Sequence, residues 1–448
     1  MTTPLADFLR AYAASGTARL HMPGHKGRGP LGCEAWDLTE ISGADSLYEA
    51  AGVIARSEEN AAALFGSAAT FYSTEGSTQC VKAMLFLALQ NRPAGTPPVI
   101  AAARNVHKSF VLAAALLDFE PLWLWPEEGG SSSLCACPIT AEGLDRRLSA
   151  LDAPPAAVYI TSPDYLGNMA DIPALAEVCR RYKTPLLVDN AHGAYLRFLE
   201  PSRHPLDLGA DLACDSAHKT LPVLTGGAYL HIAKTAPAAF RKNARAALAL
   251  FGSTSPSYLT LASLDLCSRY LSENYPARLA EAVRGLEALG KTLSANGWQV
   301  EPSDPLRLTL RAPSGLTGLD LADRLRRGGA ECEYADRDFL VLMTTPGNTA
   351  EDLARVSAAL GENRAPAAPA VSLPLAKGER ALSIREALFA PQESVPAEES
   401  LGRVCGAPTV GCPPAVPIAV SGERIGPEAL ALFRCYGVKR VDVLKSEN

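Results

Sequence analysis

No stretch of the 448 residues approaches the eighteen or so consecutive apolar residues that a membrane-spanning helix needs. The first residues, Met1-Thr2-Thr3-Pro4, lack the basic-then-apolar order of a secretory signal, so the expected location is the cytoplasm. A surplus of basic residues is missing too: 42 Lys plus Arg stand against 48 Asp plus Glu, a net charge of -6. A mildly acidic surface argues against nucleic acid or an anionic membrane as the main partner. No repeat or low-complexity block occurs.

A disulfide framework is absent as well. The 11 cysteines are odd in number, and Cys33, Cys80, Cys179, Cys214 and Cys267 mostly lie inside apolar runs, as reduced thiols acting as small hydrophobes do. Cys135-Ala136-Cys137 is the only close pair and has no second Cys or His pair nearby. No metal site is expected there.

What is present is an alternation of short apolar strands and helices. An amphipathic piece (Leu5, Phe8, Leu9, Tyr12) leads into His21-Met22-Pro23-Gly24-His25-Lys26-Gly27, where proline and glycine forbid a regular element. Phe71-Tyr72-Ser73-Thr74-Glu75-Gly76-Ser77-Thr78 then opens a helix from Gln79 to Leu89 that is apolar on nearly every side and therefore buried. Strands are expected at 98–103, 121–125, 156–161 and 185–189, with helices at 107–117, 141–151 and 172–182 between them. That order predicts a largely parallel sheet covered on both faces.

Further on, a strand at 226–232 and a helix at 236–250 precede a long helical tract, 258–289, broken near Pro276. Strands at 306–310 and 339–343, alternating with helices at 319–327 and 350–360, read as a second, smaller α/β unit. A Pro/Ala-rich linker follows, then a tail with short strands and a last helix near Glu428 to Phe433.

In a parallel sheet, ligands bind beyond the carboxyl ends of the strands. The polar residues there are Arg104 to Lys108, Thr161 to Tyr165, and Asp189-Asn190-Ala191-His192-Gly193. Downstream, Asp215-Ser216-Ala217-His218-Lys219-Thr220 places one amine between an apolar segment and a turn of Pro222, Gly226 and Gly227. Asp189 supplies an anion for a cationic ring nitrogen, and Gly76, Ser77, Thr78 and Ser216 supply donors for a phosphate at a helix N-terminus. Lys219 supplies an amine for an aldehyde, and His107 a flat partner for a flat ring. Those four demands together describe pyridoxal 5′-phosphate.

With these residues in view, the chain resembles the ornithine/lysine/arginine decarboxylase family among the fold-type I pyridoxal-phosphate enzymes, in its short form without an N-terminal wing. His21 to Gly27, Glu75-Gly76-Ser77-Thr78, Arg104-Asn105-Val106-His107-Lys108-Ser109, Asp189 to Gly193 and Ser216 to Thr220 fall in the family's order. The likeness continues into the tail at Pro413-Pro414-Ala415-Val416-Pro417 and Gly422-Glu423-Arg424-Ile425. The resemblance implies an α/β, aspartate-aminotransferase-like large domain with a mostly parallel sheet, a smaller α/β domain and a C-terminal α+β domain. The corresponding boundaries are an arm at 1–30, the cofactor-binding domain at 31–250, the small domain at 251–362, a linker at 363–376 and the C-terminal domain at 377–448.

The resemblance also implies roles. Lys219 would hold the cofactor as an internal aldimine, Asp189 would pair with the ring nitrogen, His107 would stack on the ring and His192 would sit close to it. Ser77, Thr78, Ser216 and His218 would anchor the phosphate, and Thr254 would reach a neighbouring subunit's cofactor in a homodimer or larger assembly. The implied reaction is decarboxylation of a basic L-amino acid to an amine of polyamine biosynthesis. Glu75, Asp45, Glu49 and Asp164 are candidates to read the substrate's basic side chain. Glu75 stands where the family usually has a neutral residue, Ala217 where Thr is frequent, and Gly411-Cys412 where Pro-Tyr is common; these departures bear on substrate choice. An aminotransferase or β-eliminating lyase would use Lys219 and Asp189 equally well, with Arg104 or Arg197 for the substrate carboxylate. A non-catalytic, cofactor-binding regulator is a further alternative.

Overall fold

The structure, a computed structural model, describes residues 1–126, 133–366, 368, 376–407, 409–411 and 417–445. Much of the expected linker at 363–376, and the tail motif at 413–417 apart from Pro417, lie outside the described residues. In chain order the strands are β1 (Ala69–Ser73), β2 (Val99–Ala103), β3 (Glu120–Leu124), β4 (Ala157–Thr161), β5 (Leu186–Asp189), β6 (Leu212–Asp215), β7 (Ala228–Ile232), β8 (Gln299–Glu301), β9 (Arg307–Arg311), β10 (Tyr334–Ala335) and β11 (Phe339–Met343). The helices are α1 (Pro4–Ala14), α2 (Val53–Phe65), α3 (Gly76–Gln90), α4 (Lys108–Leu117), α5 (Ala141–Ser149), α6 (Ile172–Arg181), α7 (Ala217–Thr220), α8 (Ala238–Ala249), α9 (Tyr258–Ser272), α10 (Tyr275–Ala295), α11 (Gly318–Arg327) and α12 (Ala350–Leu360). No helix among the described residues is long and apolar enough to cross a membrane.

Two compact units result. The first joins Met1–Ala94 to Ile172–Ala280, and the second joins Gly95–Asp171 to Glu281–Asn448. In the first unit the strand order is β1-β7-β6-β5. β5 and β6 are parallel, with Asp189 opposite Cys214. Leu186, Leu187, Val188, Leu212 and Ala213 are fully buried, as strands covered on both faces require. α3 packs on β6, β7 and α8 and buries Cys80, Val81, Met84, Leu85, Leu87 and Ala88.

β7 runs antiparallel to both β6 and β1, a single reversed strand in the mostly parallel sheet that was expected. The chain returns from β6 through Ser216–Gly227, which holds only the single turn of α7; a parallel return takes a longer crossover. β1 and α2 were not foreseen as elements. The break in the long helical tract falls at Glu273-Asn274, just before Pro276. Proline at the second position of α10 is tolerated because that N–H has no intrahelical acceptor.

In the second unit β2 lies parallel between β3 and β4, with Ala101 opposite Leu122 and Val158. The antiparallel sheet β10-β11-β9-β8 is covered by α11 and α12 around Leu308, Leu310, Leu321, Leu325, Leu340 and Leu360. Both helices begin with a reciprocal cap, Thr317 with Asp320 and Thr349 with Asp352. The described residues of the tail form three two-stranded ribbons and two α-helices, Ile384–Phe389 and Pro427–Cys435. Its core, built on Phe433, Val441, Val443 and Ile425, is continuous with Phe339 and Tyr334.

Candidate active site

The first unit gathers most of the expected site. Asp189 ends the apolar run of β5 and is 3% exposed. Its Oδ1 accepts the Ala191 N–H at 3.2 Å and faces Cys214 Sγ at 3.6 Å. Burial, with Asp189 beside it, pushes the Cys214 thiol well up, so the sulfur keeps its proton and donates.

The turn after β5 carries His192 back toward α7, where its Nε2 lies 2.8 Å from Lys219 Nζ. The Lys219 backbone N–H donates to Ser216 O at 3.0 Å, which closes the turn that presents the amine. His218 is held differently: its backbone N–H and Nδ1 both lie against Gly227 O, at 3.2 and 3.1 Å.

Ser216 Oγ donates to Ser77 Oγ at 2.7 Å, which joins the lysine's turn to the first turn of α3. Thr78 follows, partly buried, on the same turn. Gly76 has φ +70°, and a side chain there would meet nothing within 4 Å, so space stands open at the helix N-terminus. Gly76 N–H donates to Gly226 O at 2.8 Å. At Gly226, with φ +93°, a Cβ would come 2.7 Å from Thr74 O; only glycine fits this close approach.

His107 belongs to the second unit, at the start of α4. Its Nδ1 accepts the Ser109 N–H at 3.2 Å and lies 2.8 Å from Ser109 Oγ, which sets the ring's orientation. Thr254 is exposed in the segment between α8 and α9.

Several candidates are committed elsewhere. Asp45 accepts N–H groups from Ser46, Ala51, Gly52 and Ile54 at 2.7–3.0 Å and so tethers the start of α2. Burial alone would raise its pKa, but these backbone donors hold the carboxyl below its ordinary value. Asp164 accepts from Leu166 N, Asn168 N and Asn168 Nδ2 at 2.8–2.9 Å. Burial pushes its pKa up to about 6 against those hydrogen bonds. Glu75 and Glu49 are exposed.

The two arginines that an aminotransferase could have used are also engaged. Arg197 pairs with Asp207 at 2.6 Å and donates to Leu64 O. Arg104 makes a bidentate pair with Glu423, both bonds at 2.7 Å, with its guanidinium 4.7 and 5.2 Å from the Trp123 and Trp125 rings.

Sequence reasoning missed a buried cluster behind Lys219. Asp215 Oδ2 lies 3.1 Å from His204 Nε2 and 3.2 Å from His231 Nε2, while Oδ1 accepts from Asn190 Nδ2 at 2.7 Å. All three of Asp215, His204 and His231 are fully buried. The Leu206 N–H points at His204 Nδ1, so the ring's proton sits on Nε2 and donates to Asp215. Burial alone would raise the Asp215 pKa, but His204 and His231 hold the carboxyl well below the usual range. The only sequence signal was an acid at the end of an apolar strand; the histidines lie 11 and 16 residues away without a motif.

In the second unit Asn105, Thr161 and Asp164, from two of the expected strand-end sets, line a cavity of ≈ 360 Å³.

An amine on a tight turn, a buried carboxylate at a parallel strand end and hydroxyls at a glycine-opened helix N-terminus fit a phosphorylated pyridine aldehyde. The class is that of the fold-type I pyridoxal-phosphate enzymes, with pyridoxal 5′-phosphate as cofactor. The sequence matches the family described as Orn/Lys/Arg decarboxylase, major domain, over residues 3–313. The chain therefore belongs to the Orn/Lys/Arg decarboxylase family and is a carboxy-lyase.

Among its relatives, the Bacillus subtilis (strain 168) protein YaaO, described as uncharacterized, is 31% identical, over 96% of this chain and 93% of that one. An arginine decarboxylase of Halalkalibacterium halodurans is 30% identical with the same coverage, 96% and 93%. The fold is shared with the lysine decarboxylase LdcF of Francisella novicida, with a TM-score of 0.81 at 16% identity, over 99% of this chain and 81% of that one.

Proposed function

We propose that the chain decarboxylates a basic L-amino acid, arginine, lysine or ornithine, to the corresponding amine, with Lys219 carrying the cofactor. The observation that supports this most directly is the 2.8 Å approach of Lys219 Nζ to His192 Nε2, beside a buried Asp189. Pyridoxal phosphate, when bound, supplies the electron sink for the carbon that loses carbon dioxide.

The chain's own residues do the rest. A lysine amine condenses with a carbonyl only when neutral, and His192 Nε2 is within reach to take its proton. Asp189, desolvated and hydrogen-bonded to Ala191 N–H, stabilises a cationic ring nitrogen more strongly than a solvated carboxylate does. Ser77, Thr78, Ser216 and His218, with the N–H groups that open α3, would hold the phosphate. His107, oriented through Nδ1 by Ser109, offers its ring face for stacking.

We extend the reading to a homodimer or larger assembly in which Thr254 completes a neighbour's site; its exposure leaves it available for that contact. A cytoplasmic location is supported by the absence of a disulfide among the described cysteines, and the domain boundaries given above are part of the same reading.

The test is a panel of arginine, lysine and ornithine read by carbon dioxide release on the purified holoprotein, with Lys219→Ala alongside. The variant is expected to lose turnover and the cofactor's absorbance near the visible edge. Retained turnover would overturn the assignment of Lys219.

A further inference from the structure

The turn after β5 carries two residues of the proposed site, Asp189 and His192. Asn190, between them, is fully buried and has been given no part in the chemistry. The β5–β6 pairing ends with Asp189 opposite Cys214, and Asn190 continues the tie between the two segments. Its backbone N–H donates to Cys214 O at 3.0 Å, and its carbonyl accepts Gly193 N–H at 2.8 Å. Its side-chain Nδ2 donates to Asp215 Oδ1 at 2.7 Å, at the end of β6. A Cβ on Gly193 would fall 2.0 Å from Asn190 Oδ1, so the turn is wrapped closely round this amide. Oδ1 has no donor among the described residues, which leaves Asp215 as the amide's anchor.

Asp215 suits that task because both of its oxygens are used. Oδ1 accepts from Asn190, Oδ2 accepts from His204, and His231 Nε2 stands 3.2 Å from Oδ2. His231 is in turn fixed through Nδ1, 2.8 Å from Thr70 Oγ1 on β1, and that hydroxyl lies 2.8 Å from Ser67 Oγ. The carboxylate is thus held from β1, β7 and the segment before β6. An asparagine in its place has one acceptor and one NH2 group, so it would set a donor against the Asn190 amide or against the His204 N–H. Past Asp215 the chain enters the turn that presents Lys219, and past Asn190 it reaches His192. The bond between Asn190 and Asp215 therefore joins the two segments whose side chains meet at the 2.8 Å approach of His192 Nε2 to Lys219 Nζ.

We propose that Asp215, acting through Asn190, is a positioning residue for the Lys219 amine: it holds the turn from Asp189 to Gly193 where His192 Nε2 meets Lys219 Nζ. His192 is then placed to exchange a proton with the amine, a transfer that needs hydrogen-bond distance. The inference rests on the functional reading only for the use to which the amine is put; the placement of the amine's partner does not depend on which reaction follows.

The test follows Lys219 itself. The full-length chain, reversibly stripped of cofactor, is pulse-acetylated with acetic anhydride over a series of pH values. Mass spectrometry of the Lys219 peptide then gives the pH midpoint of the amine. Wild type is compared with His192→Ala, Asp215→Asn, Asn190→Leu and Thr70→Val, each kept well below its own thermal transition and checked for an unchanged circular dichroism spectrum. Asn190→Leu is near-isosteric and removes the amide while keeping the Asp215 charge; Thr70→Val loosens only the far end of the cluster. His192→Ala is expected to move the midpoint by about one pH unit, a change of about tenfold in the proton equilibrium. Asp215→Asn and Asn190→Leu are expected to reach that same value, and Thr70→Val to stay with wild type; should one of the first two not fold, the other decides. An unmoved midpoint in His192→Ala or in the Asp215 and Asn190 variants overturns the proposal, as does an equal shift in Thr70→Val. A shift in Asp215→Asn but not in a folded Asn190→Leu would assign the effect to charge and overturn it too. Carbon dioxide release from a basic amino acid with unmoved midpoints would leave the functional reading standing without this inference. The expected midpoints without carbon dioxide release would support the positioning and sink the functional reading.

Discussion

At Asp215 one side chain sets the state of several others. Its carboxylate takes hydrogen bonds from Asn190 and His204 and faces His231, and Asn190 adjoins Asp189. The folded pKa is depressed, so the stabilisation is complete above the ordinary carboxylate value of about 4 and is lost as pH falls below it. Asp215→Asn is expected to lower stability at pH 7 by about 3 kcal/mol, the loss of charge-assisted hydrogen bonds. The deficit should shrink as denaturation curves are taken from pH 5 down to pH 3. A deficit independent of pH would show that the carboxylate's charge is not what the cluster uses. None of this was legible beforehand, whereas Lys219, Asp189, Ser77 and Ser216 stood out as candidates, because a polar group after an apolar run or in a glycine turn calls for chemistry or a turn.

At the scale of elements, the tail is fastened to the end of β2 by one buried ion pair. Arg104 and Glu423 are 3% and 7% exposed, and Glu423 Oε2 also accepts Val420 N–H at 3.0 Å. Glu423→Gln leaves a guanidinium uncompensated between two indoles and should cost about 3–5 kcal/mol in urea denaturation. Adding Arg104→Met should restore a large part of that loss, since an apolar side chain needs no counter-ion; failure to recover would mean that packing, and not charge, made the first variant unstable.

The strands and helices between Val99 and Asp189 were readable from their alternation, because apolar runs of strand length separated by helical ones admit few other layouts. The reversed course of β7 was not. It follows from a short return between β6 and β7, and the sequence pattern of a doubly covered strand is the same in either direction. Asp45 and Asp164 stood among the candidates to read the substrate's basic side chain because a carboxylate's backbone donors leave no mark in composition.

Across the whole molecule, the cysteines behave as apolar residues. No disulfide joins the ten described ones, and burial pushes the thiols of Cys137 up to about 11 and of Cys179, Cys267 and Cys405 up to about 12. A reductant should therefore leave the thermal midpoint unchanged, and a thiol reagent should label exposed Cys33 well before the buried positions. A midpoint shift of several degrees on reduction would reveal a bridge and overturn this expectation.

The chain by itself determined which residues are candidates for the chemistry and where most of the helices and strands lie, because both are written in local order: periodicity, glycine turns and polar residues at the ends of apolar runs. Only the tertiary structure decided who neutralises whom. Arg104 meets a glutamate 319 positions away, and Asp215 collects His204 and His231 from separate segments. Such partners are selected by burial, where an unpaired charge is costly whatever its distance along the chain.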